Sequence, residues 1–263
     1  TIALSAGTLS DAAGNAMSSF SIGANLAAGS AIVVDNTAPT VSSVTSTTSN
    51  GTLKVGGAIA ITITFSETVT VAGTPQLTLE TGSSDAVVNY SSGSPGTTLT
   101  FNYTVASGNA SSDLDYASTS ALALNSGTIR DAAGNNATLT LASPSASNSL
   151  GANKALVVDG VAPATPTGLV ATPASAQNVL TWTANGEGDL ASYKVYGGTS
   201  SSPTTLLATV TSGQTYTNSS LTNGTLYYYR ISAVDDAGNE TSKTSDVSAR
   251  PHDPSGNYSL SFD

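Results

Sequence analysis

The chain has 263 residues, only 9% of them charged, and a net charge of −10 at pH 7. It contains no cysteine, which excludes a thiol catalyst, a thiolate zinc site and a disulfide framework. Its acidity opposes binding to nucleic acid or anionic lipid, since both need a basic surface. The sequence has no apolar run long enough to span a bilayer. We therefore expect neither a nucleic-acid partner nor membrane insertion.

Two blocks of sequence recur about 120 residues apart. Residues 1–15 match residues 121–135, and both blocks end in Asp-Ala-Ala-Gly-Asn. A Val-Val-Asp triplet at residues 33–35 recurs at residues 157–159. Matching blocks in the same order indicate an internal repeat. They predict that residues 1–36 are the C-terminal remnant of one repeat, and that residues 37–161 are a complete repeat. The remnant is then either disordered or completed by strands from elsewhere, for example by a donor strand from another chain in a filament.

Short alternating segments run through the complete repeat. Residues 58–65 place Ile and Phe on one face and Ala and Thr on the other, which is typical of a half-buried strand. Residues 98–105 show the same alternation. Shorter strands are predicted at residues 76–80, 86–90, 121–124, 137–141 and 154–158. Gly, Ser, Asn and Pro clusters separate these segments, and none has helical periodicity, so the sequence predicts an all-β sandwich.

Four motifs carry a family resemblance. They are Phe65-Ser-Glu-Thr-Val69, Asp113-Leu-Asp-Tyr116, Asp131-Ala-Ala-Gly-Asn135 and Val158-Asp-Gly-Val-Ala-Pro163. With them, residues 1–161 resemble the Ig-like repeats of large bacterial surface adhesins. The resemblance implies tandem Ig-like or cadherin-like β-sandwiches that form an extracellular stalk.

The sequence changes in character after Pro163. Val179-Leu-Thr-Trp-Thr183 predicts a strand with an inward Trp182, residues 191–196 predict the next strand, and Leu221-Thr-Asn-Gly-Thr-Leu-Tyr227 leads into another. This run resembles a fibronectin type III domain, which we assign to residues 162–251. The resemblance implies that Trp182 is the core aromatic residue and that Tyr227 closes a tyrosine corner, in which its hydroxyl satisfies a nearby backbone group. Residues 256–263 resemble the first strand of a LamG-like jelly roll, so residues 252–263 are predicted to be a linker and the start of a further domain.

The sequence offers little for catalysis. The only histidine, His252, lies in a Pro-rich segment, where a side chain is usually solvated rather than oriented by a carboxylate. No Gly-rich phosphate loop precedes a helix. We therefore predict that the chain is not an enzyme.

The scarce acidic residues collect at the ends of predicted strands. Ca²⁺ takes six to eight oxygen ligands, many of them carboxylates. In an Ig-like sandwich, the loops after the second and sixth strands meet the incoming linker at the N-terminal pole. This places one predicted calcium site at the front of the complete repeat and a second at its junction with the fibronectin-like domain. The residues predicted for the first site are Asp35, Glu67 and Asp131, and those for the second are Asp159, Glu187, Asp189, Asp235 and Asp236.

Asp113 and Asp115 precede a late strand and are expected at the opposite pole of the repeat, which faces the same junction as Asp159. The resemblance of this sequence to the calcium-stiffened stalks of bacterial adhesins and to cadherins favours these assignments. However, Ala117 stands where the cadherin motif has Glu, which argues against a full cadherin-type site.

The acidic motifs also fit a purely structural interpretation. Asp-Ala-Ala-Gly-Asn forms a good tight turn, in which Asp bonds its own backbone and Gly takes a positive φ. Asp235-Asp-Ala-Gly-Asn239 fits the same turn. Both interpretations stay open at this point, and the two roles can coexist.

The sequence therefore predicts a non-catalytic structural spacer in an extracellular bacterial surface adhesin or fibre, with calcium at its junctions. Its expected partners are neighbouring domains of the same chain, other copies in a filament, and a surface glycan bound through domains outside this sequence. The alternative is an accessory region of a secreted polysaccharide-degrading enzyme. Direct binding of sugar or protein would instead require a patch of exposed tyrosines, for which the candidates are Tyr90, Tyr103 and Tyr228.

Overall fold

The computed structural model describes residues 34–252, and nearly all of their regular structure is β. The chain divides into two compact units, Thr1–Thr37 and Ala38–Asp263. In the described part of the first unit, the Thr37 N–H donates to Asp35 Oδ1 at 2.9 Å. The predicted strand completion of residues 1–36 and the predicted further domain after residue 252 fall mostly outside the described residues.

The first sandwich contains ten strands and one short helix. In chain order these are β1 (Val41–Ser46), β2 (Gly51–Leu53), β3 (Ala58–Ala72), β4 (Gln76–Leu79), β5 (Ala86–Ser92), β6 (Gly96–Thr104), β7 (Ala110–Ser111), β8 (Leu122–Ala123), β9 (Thr128–Arg130), α1 (Leu150–Asn153) and β10 (Leu156–Asp159). One sheet has the order β1-β3-β6-β5-β4-β8, with β9 paired to β3. The other has the order β2-β10-β7, and β10 runs parallel to β2.

The alternation predicted for β3 and β6 builds the core of this sandwich. The two strands pair antiparallel, with Ile61 opposite Phe101 and Ile63 opposite Leu99. All four side chains are fully buried. Each contributes about 1.5–3 kcal/mol through removal of apolar surface from water.

Two local predictions for the first sandwich need correction, and one short helix is an addition to them. Residues 137–141 do not form a strand. The segment makes only an isolated bridge between Thr138 and Thr40, and its apolar side chains pack against the core from a loop. Glu67 does not follow a strand but lies inside β3, where the register shifts between Thr64 and Val69. Helix α1 was not predicted, since four residues are too few for periodicity.

The second sandwich contains seven strands. They are β11 (Val170–Ala174), β12 (Gln177–Thr181), β13 (Leu190–Gly198), β14 (Leu206–Val210), β15 (Thr215–Ser219), β16 (Tyr227–Asp235) and β17 (Val247–Ala249). They form a three-stranded sheet, β11-β12-β15, and a four-stranded sheet, β14-β13-β16-β17. The prediction of tandem all-β sandwiches is confirmed.

Aromatic side chains organise the second core. Trp182 is buried and meets Tyr193 edge-on, with ring centroids 5.3 Å apart. The Tyr227 hydroxyl accepts a hydrogen bond from the Thr222 N–H at 3.2 Å. That bond is the tyrosine corner expected from the sequence, and it holds the turn that leads into β16.

Candidate cation site at the junction of the two sandwiches

Three carboxylates meet between the last strand of the first sandwich and the loops of the second. Asp159 ends β10, Asp189 directly precedes β13, and Asp235 ends β16. One carboxylate oxygen from each lies within 4.8 Å of the others. With Ca²⁺–O bonds of about 2.4 Å, ligands on opposite sides of one ion are about 4.8 Å apart. A single ion can therefore contact all three side chains.

Asp235 is the anchored member of the group. Its side chain is 2% exposed. Its Oδ1 accepts the Asn239 N–H at 2.7 Å, and its Oδ2 accepts the Asn239 Nδ2–H at 2.8 Å. The Gly238 N–H closes the turn on the Asp235 carbonyl at 3.1 Å, with Gly238 at a φ of +87° that favours glycine. These bonds hold the carboxylate in one orientation.

Asp159 and Asp189 are less constrained. Asp159 Oδ1 accepts the Val161 N–H at 3.2 Å, and the Asp189 side chain is exposed. The Asp189 carbonyl accepts the Asp236 N–H at 2.8 Å, which ties the two loops of the second sandwich together. The carboxylate of Asp236 is exposed and lies outside the group of three.

Glu187 lies in the same loop as Asp189 but outside that group. Its Oε1 accepts the Ala164 N–H at 2.6 Å, and this bond is the main reason that the pKa of Glu187 is lowered. Glu187 Oε2 and Asn185 Oδ1 are buried atoms without a hydrogen-bond partner among residues 34–252. Buried acceptors without donors fit a water or a cation.

Family comparisons agree with this architecture. Residues 35–147 match the model of the bacterial Ig-like domain, and residues 164–249 match the model of the fibronectin type III domain. The chain carries a bacterial Ig-like domain followed by a fibronectin type III domain. Both are non-catalytic domain types that occur in extracellular proteins. Within residues 34–252, no helix is long and apolar enough to cross a membrane.

Individual relatives match only parts of the chain. A stretch of 99 residues, 36% of this chain, is 42% identical to exoglucanase A of Cellulomonas fimi and spans 11% of that protein. An Fn3-like protein from Clostridium thermocellum is 35% identical over 35% of this chain and 94% of its own, with a TM-score of 0.30. Pectate lyase PelI from Erwinia chrysanthemi is 25% identical over 34% of this chain and 28% of its own, also with a TM-score of 0.30.

The front of the Ig-like domain carries a second copy of the Asp235 turn. Asp131 is buried and accepts the Asn135 N–H at 2.8 Å and the Asn135 Nδ2–H at 2.7 Å. Burial raises the pKa of Asp131, but the hydrogen bonds from Asn135 outweigh it, and the pKa is lowered. Asp35 belongs to the other compact unit. Asp131 and Glu67 both lie in the unit Ala38–Asp263.

Asp113 and Asp115 do not join the carboxylates around Asp159. Strand β7 pairs antiparallel with β10, so the chain after it runs back along β10, away from Asp159. Asp115 is buried and accepts the Tyr116 N–H and the Ser145 N–H, both at 2.9 Å. The expectation that this pair faces the Asp159 junction is corrected by the strand direction.

The tyrosine candidates do not form an exposed patch. Tyr103 is 2% exposed, and its hydroxyl donates to Asn109 Oδ1 at 2.9 Å. The Tyr90 hydroxyl accepts the Ser94 N–H, and its ring packs edge-on against Phe101. Tyr228 is half-buried. Tyr103 lies on the same buried face of β6 as Leu99 and Phe101, so it cannot contribute to an exposed patch.

Sequence reasoning missed a charged network on the fibronectin domain. Glu240 accepts hydrogen bonds from Lys194 Nζ, the Tyr196 hydroxyl and the Ser232 hydroxyl, each at 2.6 Å. Burial raises the pKa of Glu240, but these three donors lower it to about 2 overall. The spacing of Lys194 and Tyr196, two residues apart on β13, was the available signal, since it puts both side chains on one face.

Proposed function

We propose that the two domains form a non-catalytic spacer in the stalk of an extracellular bacterial adhesin or fibre, and that Ca²⁺ stiffens their junction. The observation that carries the calcium proposal is the convergence of Asp159 with Asp189 and Asp235. Asp159 belongs to the Ig-like domain and the other two to the fibronectin domain. Three close carboxylates repel one another, and a divalent cation between them would offset that repulsion. Since its ligands come from both domains, the ion would also restrict the angle between them.

The ligand chemistry favours Ca²⁺ over softer metals. The chain has no cysteine, and its single histidine lies outside the group. Carboxylate oxygens suit hard cations, and the exposed Asp189 leaves space for water ligands. Glu187 and Asp236 in the adjoining loops are proposed as supporting ligands. The front site of Asp35, Glu67 and Asp131 is proposed from the sequence alone.

Calorimetric titration of the chain with CaCl₂ tests the junction site. Asp189→Asn removes one ligand charge from an exposed loop position, so it should weaken calcium binding by about tenfold or more. Asp85→Asn is the matched control, because Asp85 is also exposed and lies outside both carboxylate groups. Equal affinity of the wild type and Asp189→Asn would contradict a calcium site at this junction.

An accessory region of a secreted polysaccharide-degrading enzyme is the second candidate. The 42% identity with part of exoglucanase A favours it. In that setting the same two domains would connect a catalytic domain to glycan-binding domains outside this sequence. The flanking coding sequence separates the candidates: further copies of the repeat of about 120 residues support a stalk, and a glycoside hydrolase domain supports the enzyme.

The proposed filament partner has its own test. A stalk whose copies associate should show concentration-dependent mass in sedimentation velocity. A single monomeric species over a wide range of concentration would remove other copies of this chain from its partners.

A further inference from the structure

A turn of the fibronectin domain contacts the Ig-like domain through hydrogen bonds that involve no cation. Asn239, which is 5% exposed, donates from Nδ2 to the Asp159 carbonyl at 3.0 Å. Its Oδ1 accepts the Val55 N–H at 3.0 Å. Beside it, Lys54 Nζ donates to the Gly238 carbonyl, also at 3.0 Å. These bonds link the turn of residues 235–239 to two separate segments of the Ig-like domain.

The outward bonds of Asn239 are additional to those that build its turn. The turn of residues 131–135 in the Ig-like domain has the same internal bonds, in which Asn135 donates to both carboxylate oxygens of Asp131. Because this internal pattern occurs in two domain types, it serves the turn itself. An Asn amide has two N–H donors and one carbonyl oxygen. In Asn239, one donor faces Asp235, and the remaining groups face the Ig-like domain.

The surface that receives Asn239 is also a turn. The Gly57 N–H donates to the Lys54 carbonyl at 2.8 Å, and Gly56 has a φ of +83°. This is the pattern of a type II turn, with Val55 at its second position. The N–H at that position takes no part in closing the turn, so it is available to a partner. The fibronectin domain supplies the acceptor.

Apolar packing does not seal this contact. An open cavity of about 460 Å³ lies beside it, lined from both domains by Lys54, Gly160 and Lys194 among others. The Val55 side chain remains 44% exposed. Directional hydrogen bonds, rather than buried apolar area, therefore set the orientation at this point.

We propose that the turn of residues 235–239 is a docking surface for the end of an Ig-like domain, and that this contact fixes the interdomain angle without a metal. It binds a type II turn whose second residue has an N–H that the turn itself does not use. That turn lies next to the last strand of the Ig-like domain. Asn239 is the positioning residue. The contact shares Asp159 and Asp235 with the proposed calcium site. Its hydrogen bond to Val55 needs no ion, so it can be tested with calcium removed.

Amide hydrogen exchange of Val55 tests the contact directly. In the full chain with EGTA present, we expect this amide to exchange at least about tenfold more slowly than the same amide in Asn239→Ala. Equal exchange rates would overturn the proposal. Because the buffer contains a chelator, a failed calcium site does not affect the result.

Substitution of Val55 itself separates the N–H from the side chain. Val55→Pro removes the donor, and proline is favoured at the second position of a type II turn, so the turn persists. Val55→Ala is the matched control that keeps the donor. The chain has no cysteine. Spin labels at Ser83→Cys and Ser212→Cys, both exposed positions in different domains, therefore report the interdomain distance.

Val55→Pro should broaden the interdomain distance distribution in EGTA, whereas Val55→Ala should leave it as in the parent. No broadening with Val55→Pro, or equal broadening with both variants, would overturn the role of the hydrogen bond.

Discussion

Asn239 and Glu240 are neighbours in sequence but serve different parts of the molecule. Asn239 is buried at the junction and bonds to Asp159, Asp235 and Val55. Glu240 joins β13 to the segment after β16 within one domain, through Lys194 and Tyr196. Hydrogen bonds to charged groups stabilise a fold more than neutral ones do. Loss of Glu240 should therefore lower the stability of the fibronectin domain more than loss of any other member of this network.

Glu240→Gln should destabilise the fibronectin domain at neutral pH. The folded pKa of about 2 lies below the ordinary value of 4.5. The stabilisation is therefore present above pH 4.5 and is lost as the pH falls towards 2, and its size is roughly 1–3 kcal/mol. Urea unfolding at a series of pH values checks this, with the exposed Glu80→Gln as control. If the difference in free energy of unfolding between Glu240→Gln and the wild type stayed constant from pH 7 to pH 2, the role of the Glu240 charge would be contradicted.

Tyr116→Phe should destabilise the Ig-like domain by about 1–2 kcal/mol. The Tyr116 side chain is fully buried, and its hydroxyl donates to the Ala142 carbonyl at 2.7 Å. Burial, with a smaller effect of Asp115, raises the pKa of Tyr116 to about 12. Chemical denaturation measures the loss. The half-buried Tyr228→Phe should change stability by less than about 0.5 kcal/mol, and an equal effect of both would argue against the Ala142 bond.

At the scale of elements, each domain has its own core. One cluster of buried apolar side chains is centred on β3 and β6, and a separate cluster is centred on β13 and β16. The first was predictable from strict alternation over residues 58–65 and 98–105. The segment at residues 137–141 alternates too, yet it packs as a loop, because a strand also needs a neighbour at pairing distance and alternation does not report one.

Core truncations should therefore affect one unfolding transition at a time. Phe101→Ala should lower the free energy of unfolding of the Ig-like domain by about 3–5 kcal/mol, because apolar burial is lost and a cavity remains. Its transition should shift to a lower temperature. Val195→Ala should lower only the transition of the fibronectin domain. Differential scanning calorimetry in EGTA resolves the two. A shift of both transitions by either variant would show that the cores unfold as one unit.

At the scale of the whole molecule, the junction combines a proposed ion with a hydrogen-bonded contact. A ligand that binds only the folded state stabilises it by RT ln(1 + [L]/Kd), which is about 2.7 kcal/mol at a concentration of 100 Kd. Because Asp159 lies in one domain and Asp189 and Asp235 in the other, calcium should raise the melting temperature of both domains. Asp189→Asn should abolish most of that rise. A rise confined to one domain would place the ion elsewhere.

The sequence by itself determined the internal repeat and the all-β class, because recurring blocks, local alternation and turn residues can be recognised along the chain. Its resemblance to two domain families implied the order of the domain types and the roles of Trp182 and Tyr227. Only the tertiary structure decided which acidic residues meet. Strand direction gathered Asp159, Asp189 and Asp235 from distant segments, and it carried Asp113 and Asp115 away from them. The bonds of Asn239 to Val55 and Asp159 depend likewise on domain packing, because residues far apart in sequence become neighbours only when pairing and packing fix the register.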